Sequence, residues 1–205
     1  MTKSICALAH KSGNTRNQFQ SYYEEHHAPL AIGYFPFSGY SRNHLTDDGD
    51  FGWDTISEFW ADDIQETAAL MAGPIGKIMA ADEECFMNRS LIASAGVEEI
   101  ILSEGSRADE EGIRTAILVQ DAAPETDLRS VLLDWAGSFA RELPGVSIDL
   151  VMPWTELAFP AKAVLWLPGW QEQRTQSSSL AVRALRVRHV ETPASQLLGN
   201  RAKSG

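Results

Sequence analysis

The feature that most constrains this chain is that it repeats itself once, at an offset of 109 residues. A period this long sets the architecture before local propensity does, because both copies must bury their apolar faces in the same way. In the first copy, residues 4–11 (SICALAHK) read as a strand and Ser12-Gly13-Asn14 as a loop. Phe19, Tyr22, Tyr23, His26 and Leu30 then recur at i, i+3, i+4, i+7 and i+11, one face of a helix. In the second copy, residues 113–120 (IRTAILVQ) read as a strand, and Pro124-Glu125-Thr126 opens a helix. Its apolar positions are Leu128, Val131, Leu132, Trp135 and Phe139, each 109 beyond its counterpart. Both helices run to a proline and a glycine, Pro36 and Gly39 in one copy and Pro144-Gly145 in the other, and a strand follows each.

The rest of the first copy completes a recognisable order. Residues 40–45 and 53–60 (WDTISEFW) read as a hairpin around the turn Thr46-Asp47-Asp48-Gly49-Asp50. Asp62 or Asp63, with Gln65 and Glu66 three residues on, caps a helix running to Phe86 and interrupted at Gly73-Pro74. Residues 97–102 close the copy as a fourth strand. This β-α-β-β-α-β order is the ferredoxin-like unit. In the second copy, strands at 146–152, 162–167 and 182–190 fill the same places, while residues 171–179 (QEQRTQSSS) lack helical periodicity and read as a short helix or a loop. The expected organisation is a unit at 1–103, a linker at 104–112, a degenerate second unit at 113–192 and a loose tail at 193–205. The expected fold class is α+β, with two ferredoxin-like βαββαβ units in tandem, sheet against sheet.

Composition narrows the function. Seventeen Lys and Arg against twenty-eight Asp and Glu give a net charge of −11, which argues against a nucleic-acid partner. No apolar run approaches the ~18 to 20 residues of a membrane span, and no signal-peptide stretch opens the chain, so no membrane association and a cytoplasmic location are expected. Cys6 and Cys85 lack a metal-ligand spacing and read as two free buried thiols; no metal site is expected.

The chemistry concentrates in the histidines of the first copy. Aligned by 109, His26 falls opposite Trp135 on the apolar stripe and His27 opposite Ala136. At 100° per residue, His27 sits about 60° from Leu30, at the stripe's edge. Pro29 denies the Glu25 carbonyl its helical donor, so the helix is expected to kink or end near His27. An edge histidine at a helix break can reach a cleft and exchange protons near neutral pH. The expectation is therefore a packed His26 and a titrating His27. Tyr40, Arg42 and His44 alternate onto one face of their strand, and Glu58 and Trp60 share a face of the next. If Tyr40 and Glu58 meet His27, a base, a phenol and a carboxylate converge; the alternative for Glu58 is a cross-strand pair with Arg42. Trp53 and Trp60 could stack on an aromatic ligand.

Four ordered motifs carry a family resemblance over residues 3–102. The run from Lys11 through Phe19, Tyr22, Tyr23 and His27-Ala28-Pro29-Leu30 resembles the opening of the EthD family. Gly39-Tyr40-Ser41-Arg42-Asn43-His44, residues 54–60 (DTISEFW) and residues 81–86 (ADEECF) resemble its later motifs. The resemblance implies a barrel of the dimeric α+β class, here closed within one chain. It also implies a pocket that needs no cofactor, with His27, Tyr40, Glu58 and Asp82 on the family's polar positions. His10 stands where the family often places a basic residue, and His10, Trp53, Trp60 and Arg42 are read as substrate-binding. The second copy carries none of these motifs, so the first alone is expected to hold a site. The leading reading is a cofactor-independent lyase, dehydratase or isomerase acting on a small hydrophobic, oxygenated compound. A cofactor-free or haem-linked oxygenase and a non-catalytic ligand-binding protein are the alternatives, and homodimer formation stays open.

Overall fold

A computed structural model describes residues 2–47, 49–122, 127–171 and 180–201. Eight strands, β1 (Thr2–Leu8), β2 (Phe37–Leu45), β3 (Thr55–Ala61), β4 (Ala93–Ile101), β5 (Ile113–Ala122), β6 (Ser147–Pro153), β7 (Ala163–Pro168) and β8 (Leu180–Glu191), pair in the antiparallel series β1-β3-β2-β8-β5-β7-β6-β4, which closes into a barrel. Taken around the ring, β4-β1-β3-β2 and β8-β5-β7-β6 each have the ferredoxin-like order expected from the repeat. The chain divides into two compact units, one of Met1–His44, Gly49–Ser94 and Val190–Gly205, the other of Leu45–Asp48 and Ala95–His189.

In the first unit, β1 (Thr2–Leu8) leads to α1 (Arg16–Tyr22), whose cap Thr15 exchanges hydrogen bonds with Gln18 in a capping box. A short wide turn, Tyr23–His27, joins α1 to α2 (Ala28–Tyr34). The hairpin is β2 (Phe37–Leu45) and β3 (Thr55–Ala61), with Tyr40 opposite Phe59 and Ser41 opposite Glu58. The interrupted helix is α3 (Ile64–Ala72), capped by Asp63, and α4 (Pro74–Phe86). Gly73 ends one and starts the other, and Pro74 takes the first helical position, where its missing N–H costs nothing. β4 (Ala93–Ile101) follows, with Ala93 and Ser94 in this unit and the remainder in the second. Phe19, Tyr23, Tyr40, Phe86 and Met79 form the core between helices and sheet. Leu197, between the end of the last strand and the short α6 (Leu198–Arg201), is 1% exposed in the same core, so the expected loose tail is anchored there while residues 193–196 stay exposed. Asn200 donates to the Ser38 carbonyl.

The second unit holds β5 (Ile113–Ala122), α5 (Leu128–Ala140), β6 (Ser147–Pro153), β7 (Ala163–Pro168) and β8 (Leu180–Glu191). Residues 172–179, the expected short helix or loop, lie outside the described residues. Its core is Ile117, Val119, Leu132, Ala136, Phe139, Ile148, Leu165 and Leu167.

Each unit also hides a cation, a tryptophan and a carboxylate on the sheet face turned from its helices. In the first, Lys3 lies 4.7 Å over the Trp60 ring and 2.7 Å from Glu58. In the second, Arg114 lies 4.2 Å over Trp166, whose indole N–H donates to Asp149 at 2.7 Å.

Both cysteines are free, but only Cys6 is buried. Burial pushes its thiol up to about 12, against a hydrogen bond with Ser94. Cys85 is exposed on α4 with its sulfur near the Ala81 carbonyl, which corrects the expectation of two buried thiols. Among the described residues, no helix is long and apolar enough to cross a membrane.

Candidate functional site

The site begins with the wide turn. Ala28 N–H bonds the Tyr23 carbonyl, five residues back instead of four, so Tyr23–His27 is one turn of π-helix. The cause is local, because Pro29 has no N–H to continue the α-helical ladder. The wide turn keeps side chains four residues apart on one line. Phe19, Tyr23, His27 and Ala31 are buried at four-residue spacing, where an unbroken α-helix would drift about 40° per step. His26 is therefore not packed on the stripe as expected; it is exposed, its ring 4.7 Å from Tyr22. His27 is 6% exposed. In α5 the fully buried residue is likewise Ala136, the counterpart of His27, while Trp135 is half-buried.

Helix α4 brings Asp82 to His27. Nδ1 of His27 lies 2.7 Å from Asp82 Oδ2, and the Tyr22 hydroxyl donates to Oδ1 at 3.0 Å. A carboxylate only accepts, so Nδ1 carries the proton and Nε2 the lone pair. Nε2 has no hydrogen-bond partner among the described residues, and the side chain keeps 8% of its surface open. Burial pulls the imidazole below its ordinary value and outweighs the hydrogen bond and charge of Asp82, which act the other way. The ring is thus a neutral base at pH 7. Tyr23 and Phe86 wall it, at 4.8 and 5.2 Å between ring centres.

Behind it lies a buried polar network. Tyr40 donates to the Tyr23 hydroxyl at 2.9 Å, and Tyr23 pairs with Ser57 at 3.0 Å. Burial raises both phenols above their ordinary range, so both stay protonated. Arg42 grips Glu24 with two donors, Nε to Oε1 at 3.0 Å and Nη2 to Oε2 at 2.6 Å, and gives a third to Thr192. His44 spans Glu24 Oε1 and Thr55. Burial alone would raise Glu24, but His44 and Arg42 overcome it and hold the carboxyl at about 2.

The structure brings together His27, Asp82 and, through Tyr23, Tyr40, but not Glu58. The register puts Tyr40, Arg42 and His44 opposite Phe59, Ser57 and Thr55, so Glu58 and Trp60 project from the other face. Glu58 binds Lys3 and accepts from Asn43 at 2.9 Å, so neither the convergence on His27 nor the pair with Arg42 is found. Arg42 is committed to Glu24 and Thr192 rather than open to a substrate. His10 pairs with buried Asp54 at 2.8 Å, which also accepts from Arg16 at 2.9 Å. Trp53 donates to the Leu91 carbonyl at 2.7 Å. Sequence reasoning missed Tyr22, Glu24 and Ser57 as partners. A usable signal existed for Glu24, because a strand carrying Arg42 and His44 on a helix-covered face needs a carboxylate to meet it. Among the described residues, no group of three or more His, Cys, Asp or Glu is placed to hold a metal.

Residues 11–90 match the EthD domain family, which bears out the resemblance read from the sequence. No curated protein matches the chain. Among solved structures, an ethyl tert-butyl ether D (EthD) family protein from Bacillus halodurans is similar to 49% of this chain over 100% of its own, at 20% identity and a TM-score of 0.40. A proposed monooxygenase from Fusobacterium nucleatum is similar across 92% of this chain and 91% of its own, at 11% identity and a TM-score of 0.59. A proposed chlorite dismutase is similar across 97% of both chains, at 10% identity and a TM-score of 0.52. These last two likenesses establish the fold of the full chain.

Proposed function

With residues 11–90 carrying an EthD domain, we propose that the chain is a small-molecule enzyme in which His27 is the general base. Its substrate is a hydrophobic, oxygenated compound of aromatic, polyketide-like or lactone type, and its reaction a dehydration or isomerisation that needs no cofactor. One observation carries this reading: a neutral imidazole whose Nδ1 is tied to Asp82 and whose Nε2 has no hydrogen-bond partner among the described residues. Nε2 takes a proton from the carbon α to a carbonyl, and the C–H pair moves into the enolate. The same proton then returns at another carbon, giving an isomer, or joins a departing β-hydroxyl, giving water and an alkene. Asp82 stabilises the imidazolium formed between these steps. Tyr40 contributes by fixing Tyr23 against the ring, since its own proton is spent on Tyr23. A homodimer and a cytoplasmic location belong to the same proposal, and light scattering on the purified protein tests the first.

The test is a thermal-shift screen with phenols, quinones and lactones, followed by proton–deuterium exchange at the α-carbon of each compound that binds. His27→Gln should keep binding and lose exchange by about 10²- to 10⁴-fold. Exchange at the unmodified rate in H27Q would remove His27 from the chemistry. Oxygen uptake with a bound compound would favour the oxygenase instead, and binding without turnover a carrier.

A further inference from the structure

The Asp82 carboxylate is shared. His27 Nδ1 uses one oxygen and the Tyr22 hydroxyl the other. The Tyr22 ring also stacks on Phe86 at 4.7 Å and 24°, and Phe86 in turn touches the His27 ring. One side chain thus contacts both the carboxylate that orients the base and the aromatic wall that encloses it.

We propose that Tyr22 is a positioning residue, its hydroxyl orienting Asp82 so that Oδ2 faces His27 Nδ1 and keeps the imidazole in the Nδ1–H form. The inference rests on His27 being the base of the proposed reaction. Burial and the neighbouring carboxylate raise the Tyr22 phenol above its ordinary range, so it donates throughout the working pH range. Each donor takes part of the carboxylate's charge, and a carboxylate already bound by Tyr22 stabilises an imidazolium less than a free one. Tyr22 therefore fixes the tautomer and keeps the ring's proton loosely held, as a base that must release its proton in the second half-step requires. The other titratable groups around this set are Tyr23 and His26 on the same helical segment and Glu83 and Cys85 beside Asp82 on α4; Tyr40, Arg42 and His44 face Tyr23 from β2. Among the described residues, Asp82 supplies the charge effect at His27 itself.

The experiment titrates the histidines of the full chain by ¹⁵N NMR in the unmodified protein, Tyr22→Phe and Asp82→Asn. A fourth protein carries 3-fluorotyrosine at position 22, which keeps the ring and donates a stronger hydrogen bond. The His27 midpoint should move up in Y22F and down with 3-fluorotyrosine. The Nδ1–H form should dominate in the unmodified protein and mix with Nε2–H in Y22F. In the D82N background, Y22F should produce no further change. Unchanged midpoints and tautomers, or Y22F and D82N effects that add, overturn the proposal. If Y22F does not fold, the fluorinated protein alone decides it by the presence or absence of the downward shift. None of these measurements needs a substrate, so their failure is distinct from failure of the base assignment, which H27Q exchange decides. Given a substrate, Y22F should lower α-proton exchange about tenfold at neutral pH and move the acidic limb of its pH profile upward.

Discussion

Glu24→Gln should destabilise the protein at neutral pH and matter progressively less in acid. The carboxylate is drawn from its ordinary 4.5 to about 2, with burial opposing and His44 and Arg42 driving the shift. At 1.36 kcal/mol per unit this depression is worth about 3 kcal/mol. The side chain keeps 23% of its surface open, and screening there reduces the figure to about 1–2 kcal/mol. The glutamine can still accept from one neighbour, yet it leaves Arg42 and His44 without their counter-charge at 6% and 0% side-chain exposure. A loss of 1–2 kcal/mol in a chain of this size lowers Tm by about 3–6 °C. The sign follows from the depressed value: the stabilisation is complete above about 4.5 and drains away as pH falls toward 2. Urea unfolding of both proteins at pH 7, 4.5 and 3 should show a gap that holds over the first interval and narrows over the second. A gap of equal size at pH 7 and pH 3, or no gap at pH 7, refutes the argument that Arg42 and His44 stabilise an ionised Glu24.

Three further outcomes follow from the packing. His26→Ala should change stability by less than about 0.5 kcal/mol in urea titration, because the side chain is exposed; a loss above about 1 kcal/mol would return it to the core. Gly76→Ala should cost at least about 2 kcal/mol, since a Cβ there would lie 1.8 Å from the backbone oxygen of Met71. An unchanged Tm would show that the α3–α4 elbow opens freely. Trp166→Phe removes the indole donor to Asp149 and weakens the ring under Arg114, at about 2–3 kcal/mol by urea unfolding; a neutral result would mean that other partners hold Asp149 equally well.

The repeat made the two ferredoxin-like orders legible, because strand and helix periods recur at a constant offset and each copy closes on a strand. The break at Gly73-Pro74 was equally open to reading, since those two residues act through the backbone alone. Pro29 marks a break near His27, but its form as a wide turn is not legible, because periodicity arguments assume 100° per residue. The buried stripe lies one residue later than the periodicity placed it in both copies, since α5, an uninterrupted helix, also buries Ala136 rather than Trp135. Glu58 was misplaced for a different reason. Alternation within each strand is legible, but which face of β3 meets which face of β2 depends on the pairing register, here Tyr40 opposite Phe59 and Ser41 opposite Glu58, which strand periodicity alone does not fix.

The unit that carries His27 includes Val190–Gly205 as well as the beginning of the chain, whereas every described residue of the other unit precedes residue 190. On the ribosome this becomes a matter of timing. The strands β5 to β8 have emerged up to His189 while the first unit still lacks Thr192 for Arg42 and Leu197 for its core. A polypeptide released early at that stage presents proteases with an unfinished first unit, however well the second has folded. The Thr192 contact of Arg42 and the Leu197 side chain of the core are thus among the last parts of that unit to be made.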